Sequence, residues 1–93
     1  MISIAMATYN GEKFLRYMLD SILSQTYQDI ELIICDDNSS DSTCLILKEY
    51  EKNNSRIKLY FNESNLGFIK NFEKAISLCS GDYIALSDQD DIW

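Results

Sequence analysis

Apolar residues in this chain come in short blocks, each followed by a polar break and then by apolar positions at helical spacing. Ile2 to Ala7 is the first apolar run, and it breaks at Thr8-Tyr9-Asn10-Gly11. Asn10 is placed to cap a helix by accepting from the first free N–H groups. Beyond it, Phe14, Leu15, Met18, Leu19, Ile22 and Leu23 form one apolar stripe of a 3.6-residue period. Ile30 to Cys35 is apolar except for Glu31, as expected of a strand covered on both faces. It ends in Asp36-Asp37-Asn38-Ser39-Ser40-Asp41, which is turn and cap chemistry. The next helix turns Cys44, Leu47 and Tyr50 inward and Lys48, Glu49, Glu51 and Lys52 outward. Ile57 to Phe61 reads as a third strand and Asn62 to Gly67 as a loop. A third helix buries Phe68, Phe72, Ala75, Ile76 and Cys79, Ser80-Gly81 stops it, and Tyr83 to Leu86 makes a fourth strand.

Strands alternating with helices predict an α/β protein, a three-layer α/β/α arrangement around a mainly parallel, Rossmann-like sheet. The 93 residues make one domain or part of one, large enough for a modest core. A net charge of -7 excludes the clustered basic surface that nucleic-acid backbones require. Cys35, Cys44 and Cys79 lie far apart with no CxxC spacing, so they read as buried free thiols of a reducing compartment. The N-terminus lacks the charge and length of a signal peptide, and no apolar run approaches a membrane span. The expected location is the cytoplasm, with a longer parent still able to sit at the inner face of a membrane.

In parallel sheets ligands bind beyond the carboxyl ends of the strands, where strand order reverses. Strand one ends in Thr8, Tyr9 and Asn10, strand two in Asp36 and Asp37, and strand four in Ser87, Asp88, Gln89, Asp90 and Asp91. If strand one lies between the other two, all three groups line one crevice. The TYNGEK turn carries neither glycine-rich phosphate loop, so a diphosphate here needs another source of positive charge. A divalent ion bridging the diphosphate is one, and Asp88 and Asp90 could ligate it. Their spacing fits either a solvated acidic turn or shared ligation of Mg²⁺ or Mn²⁺, ions that take one or two carboxylates with phosphate oxygens and water.

The blocks MATYNGEKFL, LDSILSQTYQDIELIICDDNSSDST, NLGFIKNF and SGDYIALSDQDDIW, in that order, resemble the N-terminal half of a family 2 glycosyltransferase of the GT-A fold. The resemblance covers essentially the whole chain. It implies a UDP- or dTDP-sugar donor, a divalent Mn²⁺ or Mg²⁺ ion, and inverting transfer to a hydroxyl on a glycan or lipid-linked glycan. Ala7, Thr8 and Tyr9 fall where the family builds its base pocket, and a tyrosine ring there can stack on a pyrimidine. Asp37 matches the acid that accepts from the imide N–H of uracil or thymine, while Asp36 is left to cap the turn. Asp88 and Asp90 match the DxD motif, the first near the ribose or the metal's waters and the second on the metal. SDQDDIW, with Asp91 and Trp93, is similar to the variant in polysaccharide-building enzymes, including rhamnosyltransferases. Lys70 is a solvated lysine or a phosphate contact.

Ala7 stands where many relatives carry proline. The family also continues past the DxD into an acceptor-binding half with the catalytic carboxylate. Residues 1–93 therefore correspond to the donor half, stopping after the fourth strand, and Ile92 and Trp93 lack the chain that would pack on them. Self-association, most simply as a dimer, is the expected result. Two other functions share these features. A non-catalytic nucleotide-binding module would use the same crevice, and a receiver-type signalling domain would need acids after strand one, where Thr8-Tyr9-Asn10 stands.

Overall fold

A computed structural model describes residues 1–25 and 28–88, with Asp88 described by its backbone. Seven elements follow one another: β1 (Ile2–Thr8), α1 (Glu12–Leu23), β2 (Ile30–Asp36), α2 (Thr43–Asn53), β3 (Ile57–Phe61), α3 (Phe68–Ser77) and β4 (Tyr83–Asp88). The four strands form one sheet in the order β3-β2-β1-β4, every pair parallel. Strand one is thus central, flanked by β2 and β4. The α/β class and the predicted element sequence hold throughout.

Because side chains alternate along a strand, the two faces of the sheet collect different residues. Ile4, Met6, Ile30, Leu32, Ile34 and Ile57 face α1 and α2 and pack with Leu15, Met18, Leu19, Ile22, Ile46 and Leu47 in the main core. The opposite face carries a smaller cluster of Ala5, Cys35 and Ala75, with Tyr60, Leu78 and Cys79 against it. Helix α3 contacts β1 and β2 on this side.

The structure corrects several expectations about local structure. Asn10 does not cap α1. Its backbone is left-handed, with φ of 47°, and Gly11 is the residue that precedes the helix. The first turns are instead braced between loops. Gly11 N–H donates to Thr43 Oγ1 at 2.9 Å and Glu12 N–H to Asp41 Oδ2 at 3.3 Å, while Ser42 N–H donates to Glu12 Oε2 at 2.9 Å. Each helix start is satisfied by side chains at or just before the start of the other. Phe14 is exposed, one position off the stripe that Leu15, Met18, Leu19 and Ile22 bury. In α2, Ile46 and Thr43 join Leu47 inside, whereas Cys44 and Tyr50 are half-buried. In α3, Ala75 and Asn71 are buried, but Phe68 and Ile76 are exposed.

The last difference has a geometric cause. Strand β4 is an edge, and Tyr83, Ile84 and Leu86 on it are exposed too. Phe68, Ile69, Phe72 and Ile76 of α3 line a groove with Leu86 and Ser87. Among the described residues nothing packs over that groove, so its apolar side chains meet solvent.

Candidate functional site

The strand order brings together the groups that the sequence placed at strand ends. The β1–β2 register pairs Thr8 with Asp36, and the β1–β4 register pairs Ala7 with Asp88. Asp37 N–H extends the ladder by donating to Thr8 O at 2.9 Å. Ala7, Thr8, Tyr9, Asp36, Asp37 and the backbone of Asp88 thus share one rim of the sheet. Asp90, Asp91 and Trp93 lie outside the described residues, as does the side chain of Asp88.

Ala7 and Thr8 are buried, and Tyr9 is half exposed at the rim. Thr8 Oγ1 turns toward Asp36 and donates to its Oδ1 at 2.7 Å. Lys70 is exposed on α3.

Asp36 and Asp37 are adjacent, so alternation sends their carboxylates to opposite faces. Asp36 faces the α2 side. Its Oδ1 accepts from Thr8 Oγ1 and from Ser39 Oγ at 2.7 Å, and its Oδ2 from Ser39 N–H at 2.9 Å and the Cys44 thiol at 3.3 Å. It fastens its own turn. Burial and the neighbouring Asp36 push the Cys44 thiol up to about 11, so it stays a neutral donor.

Asp37 faces the α3 side and binds the loop between β3 and α3. Its Oδ1 accepts from Leu66 N–H at 2.7 Å and Asn62 Nδ2 at 3.0 Å, and its Oδ2 accepts from Gly67 N–H at 3.0 Å. Asn65 Nδ2 donates to its main-chain carbonyl. Gly67 has φ of 89°, a backbone conformation open to glycine, and it starts α3 with its N–H aimed at the carboxylate. Burial pushes the Asp37 carboxyl up, but the donors Leu66, Asn62 and Gly67, with Asn65 beside them, bring it below the ordinary carboxylate value.

Reading the sequence missed Asn62, Asn65, Asn71 and Lys74, all tied to Asp37 directly or through one another. One signal was available. Phe68, Asn71, Phe72 and Ala75 share a single 3.6-residue stripe, so a polar side chain stood on an apolar face. Buried amides need hydrogen-bond partners, and these have them.

For a divalent cation the same rim offers few donors among the described residues. No group of three or more His, Cys, Asp or Glu gathers there. Asp36 is filled by four donors and Asp37 already accepts from three, which leaves little carboxylate for a cation there. Oxygen ligands of that kind suit Mg²⁺ and Mn²⁺.

The parallel sheet with its polar rim has the GT-A form of the α/β fold. The chain belongs to glycosyl transferase family 2, whose description matches residues 3–93. It is 42% identical over 93 residues to the UDP-Glc:alpha-D-GlcNAc-diphosphoundecaprenol beta-1,3-glucosyltransferase WfgD of Escherichia coli, covering all of this chain and 36% of WfgD. Residues 1–349 of S. aureus TarS, solved in complex with UDP, superpose with a TM-score of 0.89 at 29% identity, over 98% of this chain and 28% of that one. The mannosyltransferase PcManGT of Pyrobaculum calidifontis, solved with GDP-Man and Mn²⁺, shares the fold at a TM-score of 0.90 and 21% identity, over 99% of this chain and 28% of its own. The chain spans about a third of the length of such relatives.

Proposed function

We propose that these residues form the donor-binding part of a metal-dependent, inverting glycosyltransferase that uses a UDP- or dTDP-sugar. The acceptor is a hydroxyl on a glycan or lipid-linked glycan of a bacterial surface polysaccharide. The observation that carries the reading is the strand order, which gathers Ala7, Thr8, Tyr9, Asp37 and Asp88 on one rim of the sheet. Family membership and a TarS relative solved with UDP support it.

In this reading the Tyr9 ring stacks on the pyrimidine and Asp37 accepts from its imide N–H. Asp88 and Asp90 hold a Mn²⁺ or Mg²⁺ ion, which supplies positive charge to the diphosphate of the donor. The acceptor oxygen attacks the anomeric carbon as the bond to the diphosphate oxygen breaks on the opposite side, which inverts the centre. A carboxylate outside the described residues takes the hydroxyl proton. The enzyme works in the cytoplasm or at the cytoplasmic face of the membrane. Among the described residues, no helix is long and apolar enough to cross one.

The test is calorimetry of UDP and dTDP with the native full-length protein, in Mn²⁺ and in EDTA. Affinity should rise with the metal, and Asp90→Ala should remove the difference. Equal affinity in both conditions would overturn the metal role. Self-association belongs to the same reading, supported by the exposed Phe68, Ile69, Tyr83 and Leu86. Light scattering of the 93-residue chain at micromolar concentration should report a dimer, and a clean monomer would exclude it.

A further inference from the structure

Asn62 and Asn71 are buried, at 7% and 1% exposure, between β2, the β3–α3 loop and α3. An amide without partners there would be costly, and each has a partner at both its oxygen and its nitrogen. Asn71 Nδ2 donates to Cys35 O at 2.8 Å, and Asn71 Oδ1 accepts from Asn62 Nδ2 at 2.8 Å. Asn62 Nδ2 also donates to Asp37 Oδ1 at 3.0 Å, and Asn62 Oδ1 accepts from Lys74 Nζ at 2.6 Å. An ammonium group only donates, so Lys74 fixes which end of the Asn62 amide faces Asp37. The network runs in one direction, from Lys74 through Asn62 to Asp37.

Its effect on the carboxylate is unequal. Each oxygen has two lone pairs. Oδ1 is filled by Leu66 N–H and Asn62, whereas Oδ2 accepts from Gly67 N–H, with the Asn65 amide close by but bonded to the main-chain carbonyl. We propose that Asn62, oriented by Lys74 and Asn71, is a positioning residue for base selection, occupying Oδ1 so that Oδ2 is the atom offered to the base. This rests on the donor reading above. An ionised Oδ2 with a free lone pair accepts from the imide N–H of uracil or thymine. Cytosine has a lone pair at the same ring position, so the two acceptors would face each other without a proton between them. The internal donors also hold Asp37 in its acceptor-only form.

The test compares UDP, N3-methyl-UDP and CDP binding to the native full-length protein by calorimetry at fixed Mn²⁺. The native protein should prefer UDP over N3-methyl-UDP about tenfold or more, the cost of one lost buried hydrogen bond. Asn62→Leu should reduce that preference to about twofold, with affinity for N3-methyl-UDP unchanged. Lys74→Met frees the amide to turn its oxygen toward Asp37, and should reduce the preference about threefold. Lys74 is only half-buried, so this variant keeps the test available if Asn62→Leu fails to fold. A purely structural role would lower all three affinities together and leave their ratios intact, which would overturn the proposal. A native protein indifferent to N3 methylation would instead overturn the base contact at Asp37 itself, and the positioning role with it.

Discussion

Glu31 and Asp37 stand six residues apart, on the same face of the sheet and at opposite ends of β2. Both carboxylates are buried, at 3% and 5% exposure. Glu31 Oε2 accepts from Ser3 Oγ at 2.5 Å, Ser80 N–H at 2.6 Å and Ser80 Oγ at 2.9 Å, and its Oε1 accepts from Lys58 Nζ at 3.1 Å. Those four donors come from β1, β3 and the turn before β4, so a single carboxylate ties the base of the sheet together. Burial works against ionisation, but the donors Ser3, Ser80 and Lys58 outweigh it and draw the pKa down to about 2. Asp37 has three donors, all from the loop between β3 and α3. A carboxylate whose donors come from three elements fastens the fold, and one held at the rim by a single loop is placed to receive a ligand as well. Substitutions at the two ends should therefore separate stability from binding.

The largest effect should come from Glu31→Gln. It removes the charge that four donors surround and turns an NH₂ group toward some of them. A shift of this size corresponds to about 3 kcal/mol, or a fall in Tm on the order of 10 °C or more for a domain this small. The Glu31 pKa is lowered on folding, so its contribution is full above about pH 4.5 and is lost as pH falls toward about 2. The gap in Tm between native and variant chains should narrow across that window. Nucleotide affinity at temperatures where both are folded should not change. Thermal melts from pH 7 to 2 check the first claim, and a constant gap would break it.

Gly81→Ala probes the same end. A Cβ there would lie 2.7 Å from Ser3 Oγ and 2.8 Å from both Met1 O and Ser3 N, mostly backbone that cannot move aside. Overpacking of this kind costs about 1–3 kcal/mol. Denaturant melts should show it, again with no change in base preference.

At the rim, Asp37→Asn should weaken UDP binding about tenfold, one decade per 1.4 kcal/mol. It should also lower Tm by several degrees, since the carboxylate holds three donors of the β3–α3 loop. Full loss of stability with retained affinity would place Asp37 with Glu31 as a purely structural acid. Gly67→Ala is the mildest change. Space around the position is open, but φ of 89° is strained for alanine, at a cost of about 1 kcal/mol. Its N–H should tilt away from Asp37 Oδ2, and UDP affinity should fall about threefold while CDP affinity does not.

Much of this was legible in the sequence, because alternation and helical spacing are local. The apolar runs at Ile2, Ile30, Ile57 and Tyr83 marked all four strands, and the polar breaks marked the rim. The β3-β2-β1-β4 order was a condition the sequence left open, and the structure meets it. The misses arose where a second element supplied the decisive contact. Asn10 looks like a helix cap from its neighbours, but the loop at Ser39 and Ser40 holds it instead, through Asn10 N–H to Ser39 Oγ and Ser40 N–H to Asn10 Oδ1. Phe68 and Ile76 look buried on a helical wheel, yet burial also requires a partner across the face. Asn62 reads as a loop residue and Asn71 is passed over, because their partners, Asp37 and Cys35, are distant in the chain.

The most direct measurement is a crystal structure of the native full-length protein with UDP and Mn²⁺. The account predicts the uracil against Tyr9, with its N3–H donating to Asp37 Oδ2 at about 2.9 Å. Leu66 N–H, Asn62 Nδ2 and Gly67 N–H should keep their present places on the carboxylate. A base bound away from Asp37, or an Asp37 that must release its loop donors to reach the base, would contradict it.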